Sequence, residues 1–412
     1  MSAQMTTEEL TRRLVGFDTV SIAGKGGERV TQSTRLIADF VSELLEAGGF
    51  KIWQLPYTTD GVEKVNLVAF KGGEEPLLAF SGHMDVVPVG EWKIASDPFN
   101  LTRIGDKFYG RGSADMKLFD AIAVLAGCAI PASSLKRPFA VYLTSDEEIG
   151  CLGVKQLLKR ASGKSDLQSE FKVHALRQRE VPIPKYVVIG EPTELVPMHM
   201  HKGYIFFRIY IKITAGEAGH SSNPDSGKSV LKTGLPQVLI ALTELEAALR
   251  EIRDERFAIA FPTINPGVVS MDSGAAKNVL ATGCCIDLEA RFLPGQEPED
   301  LLQAIQETVR RSVYRLKGIR AHVKYFRSPT PPMETPVDSL VVTVATKLYN
   351  KEPSTVAYNT EGGTFNRYGA ESVIFGPASI DQAHKSDEFA HAKWFKPEIV
   401  DMYTEFIRQF CC

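Results

Sequence analysis

The sequence predicts an α/β protein with a mainly parallel sheet, into which a smaller α+β domain is inserted. Three observations predict it. Short apolar runs alternate with helical periods through the first half of the chain, as in strands joined by helical crossovers. After Pro197 the texture changes to longer, half-polar strands separated by two long helical patterns. Finally, 412 residues exceed the roughly 300 at which a single hydrophobic core stops growing, so two domains are expected.

The elements follow in order. Thr6-x-x-Glu9 is a capping box ahead of an amphipathic stretch, and residues 31–45 carry a second helical period. Apolar runs at 77–80, 139–143 and 186–189 read as buried strands, with helical segments at 115–126 and 154–161 between them. Residues 162–179 are polar and predict a loop-rich excursion. Residues 204–214 alternate apolar and polar over part of their length, as a half-exposed strand does. A helical pattern at 228–253, strands at 263–270 and 284–292, a helix at 298–314 and a strand at 321–326 follow. Pro298 stands in the first turn of that last helix, where its missing N–H costs nothing. This order predicts two helices against one face of an antiparallel sheet. The boundaries are therefore set at 1–198 for the first part of the larger domain, 199–328 for the insertion and 329–412 for the return.

Composition narrows the class. The charged fraction of 24% and net charge of −3 are those of an ordinary soluble protein, with no basic stripe for nucleic acid or an anionic membrane surface. The first residues lack the basic start and apolar core of a signal peptide. The longest apolar run, 121–130, is half the ~20 residues a membrane-spanning helix needs. Six cysteines without a Cys-x-x-Cys motif predict reduced thiols in a cytoplasmic protein. Cys411-Cys412 reads as a frayed tail rather than a prenylation signal.

Four segments place acidic residues or histidine just beyond a predicted strand: Gly82-His83-Met84-Asp85, Ser113-Ala114-Asp115, Asp146-Glu147-Glu148 and Gly190-Glu191-Pro192. In open α/β sheets the ligand crevice lies outside the carboxyl ends of the strands, where these residues would converge. Gln382-Ala383-His384 supplies another histidine. Singly, each has a plain explanation. Asp115 can cap a helix, Glu147 and Glu148 can be solvated turn charges, and His83 and His384 can be interior histidines. Together, two histidines and three carboxylates suffice for a carboxylate-bridged pair of divalent ions.

With these motifs in this order, the chain resembles the di-zinc acylase and carboxypeptidase family that includes acetylornithine deacetylase, succinyl-diaminopimelate desuccinylase and glutamate carboxypeptidase. The resemblance spans nearly the whole chain. It implies a metallopeptidase-like catalytic domain, with the insertion serving as lid and dimerisation surface of a homodimer. His83 and Glu191 would hold one metal, Glu148 and His384 the other, and Asp115 would bridge them. Zinc is the expected ion, since nitrogen and oxygen ligands without sulfur suit it, with cobalt or manganese as alternatives. Glu147 would be the general base, Asp85 would orient His83, and His220 of the insertion would donate to the developing oxyanion. Three carboxylates and one hydroxide cancel the four charges of two dications. Metal coordination brings the pKa of water from about 15.7 towards ~7, which yields a nucleophile at neutral pH.

The substrate motifs point to the acetylornithine deacetylase branch: Gly190-Glu191-Pro192-Thr193, His201-Lys202-Gly203, His220-Ser221-Ser222-x-Pro224 and Gly376-Pro377-Ala378-Ser379. The expected reaction is hydrolysis of N2-acetyl-L-ornithine to ornithine and acetate. N-acetylcitrulline deacetylase, desuccinylase, aminoacylase and dipeptidase are the rivals. Arg291 matches the family arginine that grips a substrate carboxylate, and Asn278, Gly363 and Thr364 match neighbouring substrate contacts. Glu361 is a candidate partner for a substrate ammonium or an ordinary solvated acid. The stretch between Glu148 and Glu191 is longer than usual, and Asn278-Val279-Leu280-Ala281 replaces the customary Asn-x-Ile-Pro. A scaffold that had abandoned catalysis would be expected to lack a ligand or the base, and none is missing.

Overall fold

The computed structural model describes residues 5–22, 31–94, 97–158, 174–175, 181–214, 219–223, 229–271, 276–325 and 329–412. The first helix, Thr7–Val15, begins at the capping box: the Thr6 hydroxyl accepts from the Glu9 N–H at 3.2 Å, and the Glu9 carboxylate accepts from the Thr6 N–H at 2.8 Å.

The strands Leu78–His83, Phe139–Thr144, Tyr186–Pro192 and Glu371–Gly376 form the parallel centre of a ten-stranded sheet among the described residues. The first three are buried along their whole length. That is why they read as continuous apolar runs rather than alternating ones. On one face Phe80 meets Phe119, Tyr403 and Phe406 from the helices Lys117–Ala129 and Pro397–Cys411. On the other, Tyr142, Val187 and Ile189 pack with Val154, Leu157 and Phe365.

Antiparallel strands extend both edges. Lys51–Thr59 and Val62–Lys71 form a hairpin that joins the sheet beside Phe139–Thr144. The sequence reading omitted it, although Asp60-Gly61 signals it: both residues have positive φ, as a two-residue hairpin turn requires. Met198–His201 also pairs within this sheet, beside Glu371–Gly376. These residues therefore belong with the larger sheet, and the smaller one starts at Gly203.

The smaller sheet has the strand order Thr263–Met271, Gly283–Phe292, Gly203–Ile213, Ile319–Tyr325, all antiparallel. Gly203–Ile213 alternates buried and half-buried residues. Ile205, Phe207, Ile209 and Ile211 face a core shared with Val238 and Leu242 of the helix Gly234–Leu249 and with Leu301, Ile305 and Val309 of the helix Pro298–Val313. This is the two-helix, one-face arrangement expected for the insertion.

Three local expectations are corrected. The helix expected from residue 115 starts at Lys117, which leaves Asp115 in a loop. The helix expected over 228–253 runs over Gly234–Leu249, and Lys228 lies outside the described residues. Cys411 is no frayed tail: it is 1% exposed, and its carbonyl accepts from the N–H groups of Lys136 and Arg137. Most of the stretch expected to be loop-rich lies outside the described residues. None of the six cysteines forms a disulfide. Among the described residues, no helix is long and apolar enough to cross a membrane.

Candidate metal centre and cleft

The parallel register aligns the carboxyl ends of three neighbouring strands, and the acidic segments sit at those ends. Leu78 lies opposite both Phe139 and Tyr186. His83 is the last residue of its strand, Glu147 and Glu148 follow Thr144 closely, and Glu191 lies near the end of Tyr186–Pro192. Asp115 enters from the loop before Lys117, and His384 from the loop after the fourth parallel strand.

The aspartate lies between the two histidines. Asp115 Oδ1 is 3.1 Å from His83 Nε2, and Asp115 Oδ2 is 3.5 Å from His384 Nε2. Glu191 Oε1 is 3.7 Å from His83 Nε2, and Glu148 Oε2 is 2.9 Å from His384 Nε2. His83, Asp115 and Glu148 converge closely enough to hold one ion, as do His83, Glu147 and Glu191. Glu147, expected from sequence as the base, is thus itself a member of the second group.

The surrounding shell fixes these groups. The Asp85 carboxylate accepts from the N–H groups of Glu147 at 3.1 Å and Glu148 at 3.2 Å. His83 Nδ1 lies nearer the Asp85 carbonyl, at 3.0 Å, than its carboxylate, at 3.6 Å. Asp85 therefore steadies both the ring and the Glu147–Glu148 turn. Glu388, fully buried, accepts from Arg111 at 2.6 Å and from the N–H groups of Gly112, Ala114 and Asp115 at 2.7–3.0 Å. It clamps the loop that carries Asp115, and the sequence reading missed it.

The electrostatics show a centre short of positive charge. Burial pushes Glu148 up to about 8, with the Asp115 charge next in effect. Burial likewise raises Glu147 and takes Glu191 well above the ordinary range. Burial is the largest influence on Asp115 and works to raise it, but the hydrogen bond with His83, the charges of His83 and His384 and a hydrogen bond with Glu191 together outweigh it and hold the carboxyl below its ordinary value. For His83, burial favours the neutral ring, yet Asp115, Glu191 and Asp85 outweigh it and raise the ring well above its usual value. The hydrogen bond to Glu148 pushes His384 up to about 9. Glu148 Oε1 is buried without any hydrogen-bond partner. Four carboxylates and two imidazoles, with an orphaned acceptor among them, fit a pair of divalent cations in both charge and donor type.

The centre forms one side of a cleft of ≈ 360 Å³. Tyr204, Arg291, Tyr358, Asn359 and Ile380 line it as well. Arg291 lies over the Tyr204 ring at 4.7 Å and donates from Nη1 to Asn359 Oδ1 at 2.9 Å. Tyr204, Tyr358 and Asn359 belong to no motif, and no local signal in the sequence singles them out. The cleft lining does not include Asn278, Gly363, Thr364 or His220. Gly363 and Thr364 are buried, and a Cβ at Gly363 would meet the Pro331 carbonyl at 1.9 Å. His220 is exposed, bonded to Ser222 at 2.6 Å, and lies beside Asn278, whose carbonyl accepts from Ser221. Glu361, a candidate ammonium partner from sequence, is turned inward: it is 2% exposed and accepts from Ser81 and Thr144.

A ten-stranded α/β sheet with imidazoles and carboxylates converging at its carboxyl edge defines a metal-dependent hydrolase. Residues 79–409 match Peptidase family M20/M25/M40, and the chain belongs to that family. It is 36% identical over 361 residues to an acetylornithine deacetylase of Myxococcus xanthus, covering 86% of each chain. With an acetylornithine deacetylase of Proteus mirabilis the identity is 31%, covering 98% of this chain and 96% of the relative. The fold also resembles that of an M20 family metallo-carboxypeptidase from Sulfolobus solfataricus (TM-score 0.69, 18% identity, 98% of this chain and 99% of the other). A dinuclear metal-binding M20 peptidase of Bacillus subtilis has the same fold (TM-score 0.61, 11% identity, 98% and 97% covered).

Proposed function

We propose that this enzyme hydrolyses the amide bond of N-acyl amino acids, with N2-acetyl-L-ornithine, released as ornithine and acetate, as its preferred substrate. One observation carries the reading: the Asp115 carboxylate lies between His83 and His384 on one side of a cleft that Arg291 enters from the smaller sheet. The names of the relatives support the choice of acyl group and amino acid.

In this reading His83, Glu191, Glu148, His384 and the shared Asp115 would hold two divalent ions, zinc by preference. Divalent ions there supply Lewis-acid polarisation of the amide and an acidified water. The chain's own residues do the rest. Glu147 takes the proton of the attacking water and delivers it to the amine nitrogen as the C–N bond breaks, a role worth ~10²–10⁴ in rate. Its burial and raised proton affinity suit a group that must both accept and return a proton. Asp85 holds the Glu147–Glu148 turn by its two N–H bonds. Arg291 receives the substrate carboxylate with the donors left by Asn359 on Nη1 and by Glu289, which faces Nε at 3.5 Å. The inserted domain, which begins at Gly203, acts as lid and dimerisation domain, and His220, beside Asn278 and away from this cleft, serves the cleft of a second copy.

A panel of N-acetyl and N-succinyl amino acids and dipeptides, assayed on zinc- and cobalt-loaded protein, tests the reading. The expected result is the highest kcat/KM for N2-acetyl-L-ornithine. A higher value for an N-succinyl substrate or a dipeptide would move the assignment to another branch of the family.

A further inference from the structure

Between Arg291 and Glu147 the structure contains a run of polar contacts that the reaction described so far leaves unused. Arg291 Nη1 donates to Asn359 Oδ1 at 2.9 Å, Asn359 Nδ2 donates to Cys151 Sγ at 3.7 Å, and Cys151 Sγ donates to Glu147 Oε1 at 3.2 Å. The direction is the same at every step. Arginine has only donors, so the Asn359 amide must present its oxygen to Arg291 and its NH₂ to the sulfur. The thiol lone pairs are then engaged by Asn359, and its proton is directed at the carboxylate. A chain of this polarity runs from a cation to an anion, and each bond strengthens the next.

The backbone supports a purpose for the cysteine. Gly150 and Cys151 both donate N–H to the Glu147 carbonyl, at 2.9 and 2.8 Å, which folds the chain back by one turn and sets Sγ beside the Glu147 side chain. Cys151 adopts φ 53°, ψ 39°, the left-handed region that glycine occupies without strain. A side chain is retained there, fully buried, where glycine would have been the easier residue. Apolar packing alone would explain the burial but not the contact with a carboxylate.

We propose that Cys151 and Asn359 are positioning residues that tie the base Glu147 to Arg291, so that a substrate carboxylate engaged by Arg291 sets the orientation of the base. This rests on the proposed function, in which Glu147 is the base and Arg291 the carboxylate contact. It extends that reading to specificity: a substrate lacking the carboxylate loses turnover as well as affinity.

The test is steady-state kinetics of the zinc-loaded protein on N-acetylornithine and on its α-carboxamide, for wild type, Cys151→Ala, Cys151→Ser, Asn359→Ala and the Cys151→Ala/Asn359→Ala pair. Cys151→Ala is expected to lower kcat about tenfold with little change in KM, a fraction of the full contribution of a base. Cys151→Ser, which keeps a donor, should recover most of it. The double variant should be no worse than the poorer single variant, because both break one chain. On the carboxamide the Cys151→Ala defect should shrink to about twofold or less, since the far end is already disengaged. A second readout needs no turnover. The S–H stretching band of metal-free protein, isolated by subtracting the Cys151→Ser spectrum, should sit at the low frequency of a thiol bonded to carboxylate and rise in Glu147→Gln. Unchanged kcat in both Cys151→Ala and Asn359→Ala, serine no better than alanine, multiplying single defects, or an S–H band indifferent to Glu147→Gln would each overturn the proposal. Asn359, being only half buried, keeps the test open if Cys151→Ala does not fold. Glu147→Gln kinetics separate the two levels. Near-normal turnover there removes the proposed base, whereas its collapse beside an unaffected Cys151→Ala removes only the coupling.

Discussion

Replacing Glu388 with glutamine changes one charge and almost no volume, yet it should both destabilise the protein and loosen its metal centre. One carboxylate oxygen of Glu388 accepts from Ala114 and Asp115, and the other from Arg111 and Gly112. Glutamine can keep the first pair with its carbonyl oxygen, but its NH₂ then confronts two donors. Arg111 is 1% exposed, so it would be left as a buried cation without its counter-charge. Breaking a buried pair in this way typically costs ~3–5 kcal/mol. The lower end applies, since Arg111 Nη2 keeps the carbonyls of Pro88, Val89 and Lys385. At about 2.1 cal/mol/K per residue, cooperative unfolding of 412 residues carries ~0.9 kcal/mol/K, so ~3 kcal/mol lowers Tm by about 3–4 °C. Scanning calorimetry on metal-free protein isolates this shift from metal linkage, and metal counting on the same variant reports on Asp115. Expected are the lower Tm and weaker retention of both ions. A Tm within about 1 °C of wild type with full metal content would refute the clamp.

Four further outcomes are expected. Chelation should abolish activity and zinc or cobalt restore it, with Asp115→Ala losing both ions by metal analysis and His384→Ala mainly one; activity in rigorously metal-free protein would contradict this. Glu147→Gln should keep its fold and metals while kcat falls ~10² or more, and single-turnover rates check that the loss is in chemistry. Mixing inactive Glu147→Gln and His220→Ala subunits under exchange should restore activity if His220 serves a second copy, because one site of the heterodimer is then intact; no recovery would place His220 within its own chain. His201 gives a pH dependence. Burial pushes its pKa down to about 4 from an ordinary 6.5, so it is neutral when folded and accepts from Gly363 at 3.1 Å. The unfolded chain therefore binds the extra proton first, and the contribution is complete above about pH 6.5 and lost on acidification towards pH 4, ~3 kcal/mol in all. Urea titrations across that window should show a shallower slope for His201→Gln, and an unchanged slope would exclude His201 as the source.

The features legible in the sequence are those that neighbouring residues dictate. A wholly apolar run of four or five residues makes a strand covered on both faces, and the residues that follow it must leave the sheet at its carboxyl edge. That rule locates His83, Glu147, Glu148 and Glu191 from the sequence alone, and the alternation in 204–214 marks the smaller sheet in the same way. The Asp60-Gly61 hairpin was equally legible and was passed over. Other features depend on groups hundreds of residues apart and left no local trace. Glu388 meets the Asp115 loop across 273 residues and Asn359 meets Cys151 across 208. Neither position differs in pattern from any other acid or amide on a loop. Glu361 shows the converse: its sequence neighbourhood allowed an acid facing solvent or substrate, and only the packing of Ser81 and Thr144 against it turned it inward. Periodicity records which face of an element is buried. It does not record what lies against that face, because hydrogen bonds between distant segments form only after the burial of apolar surface has brought those segments together.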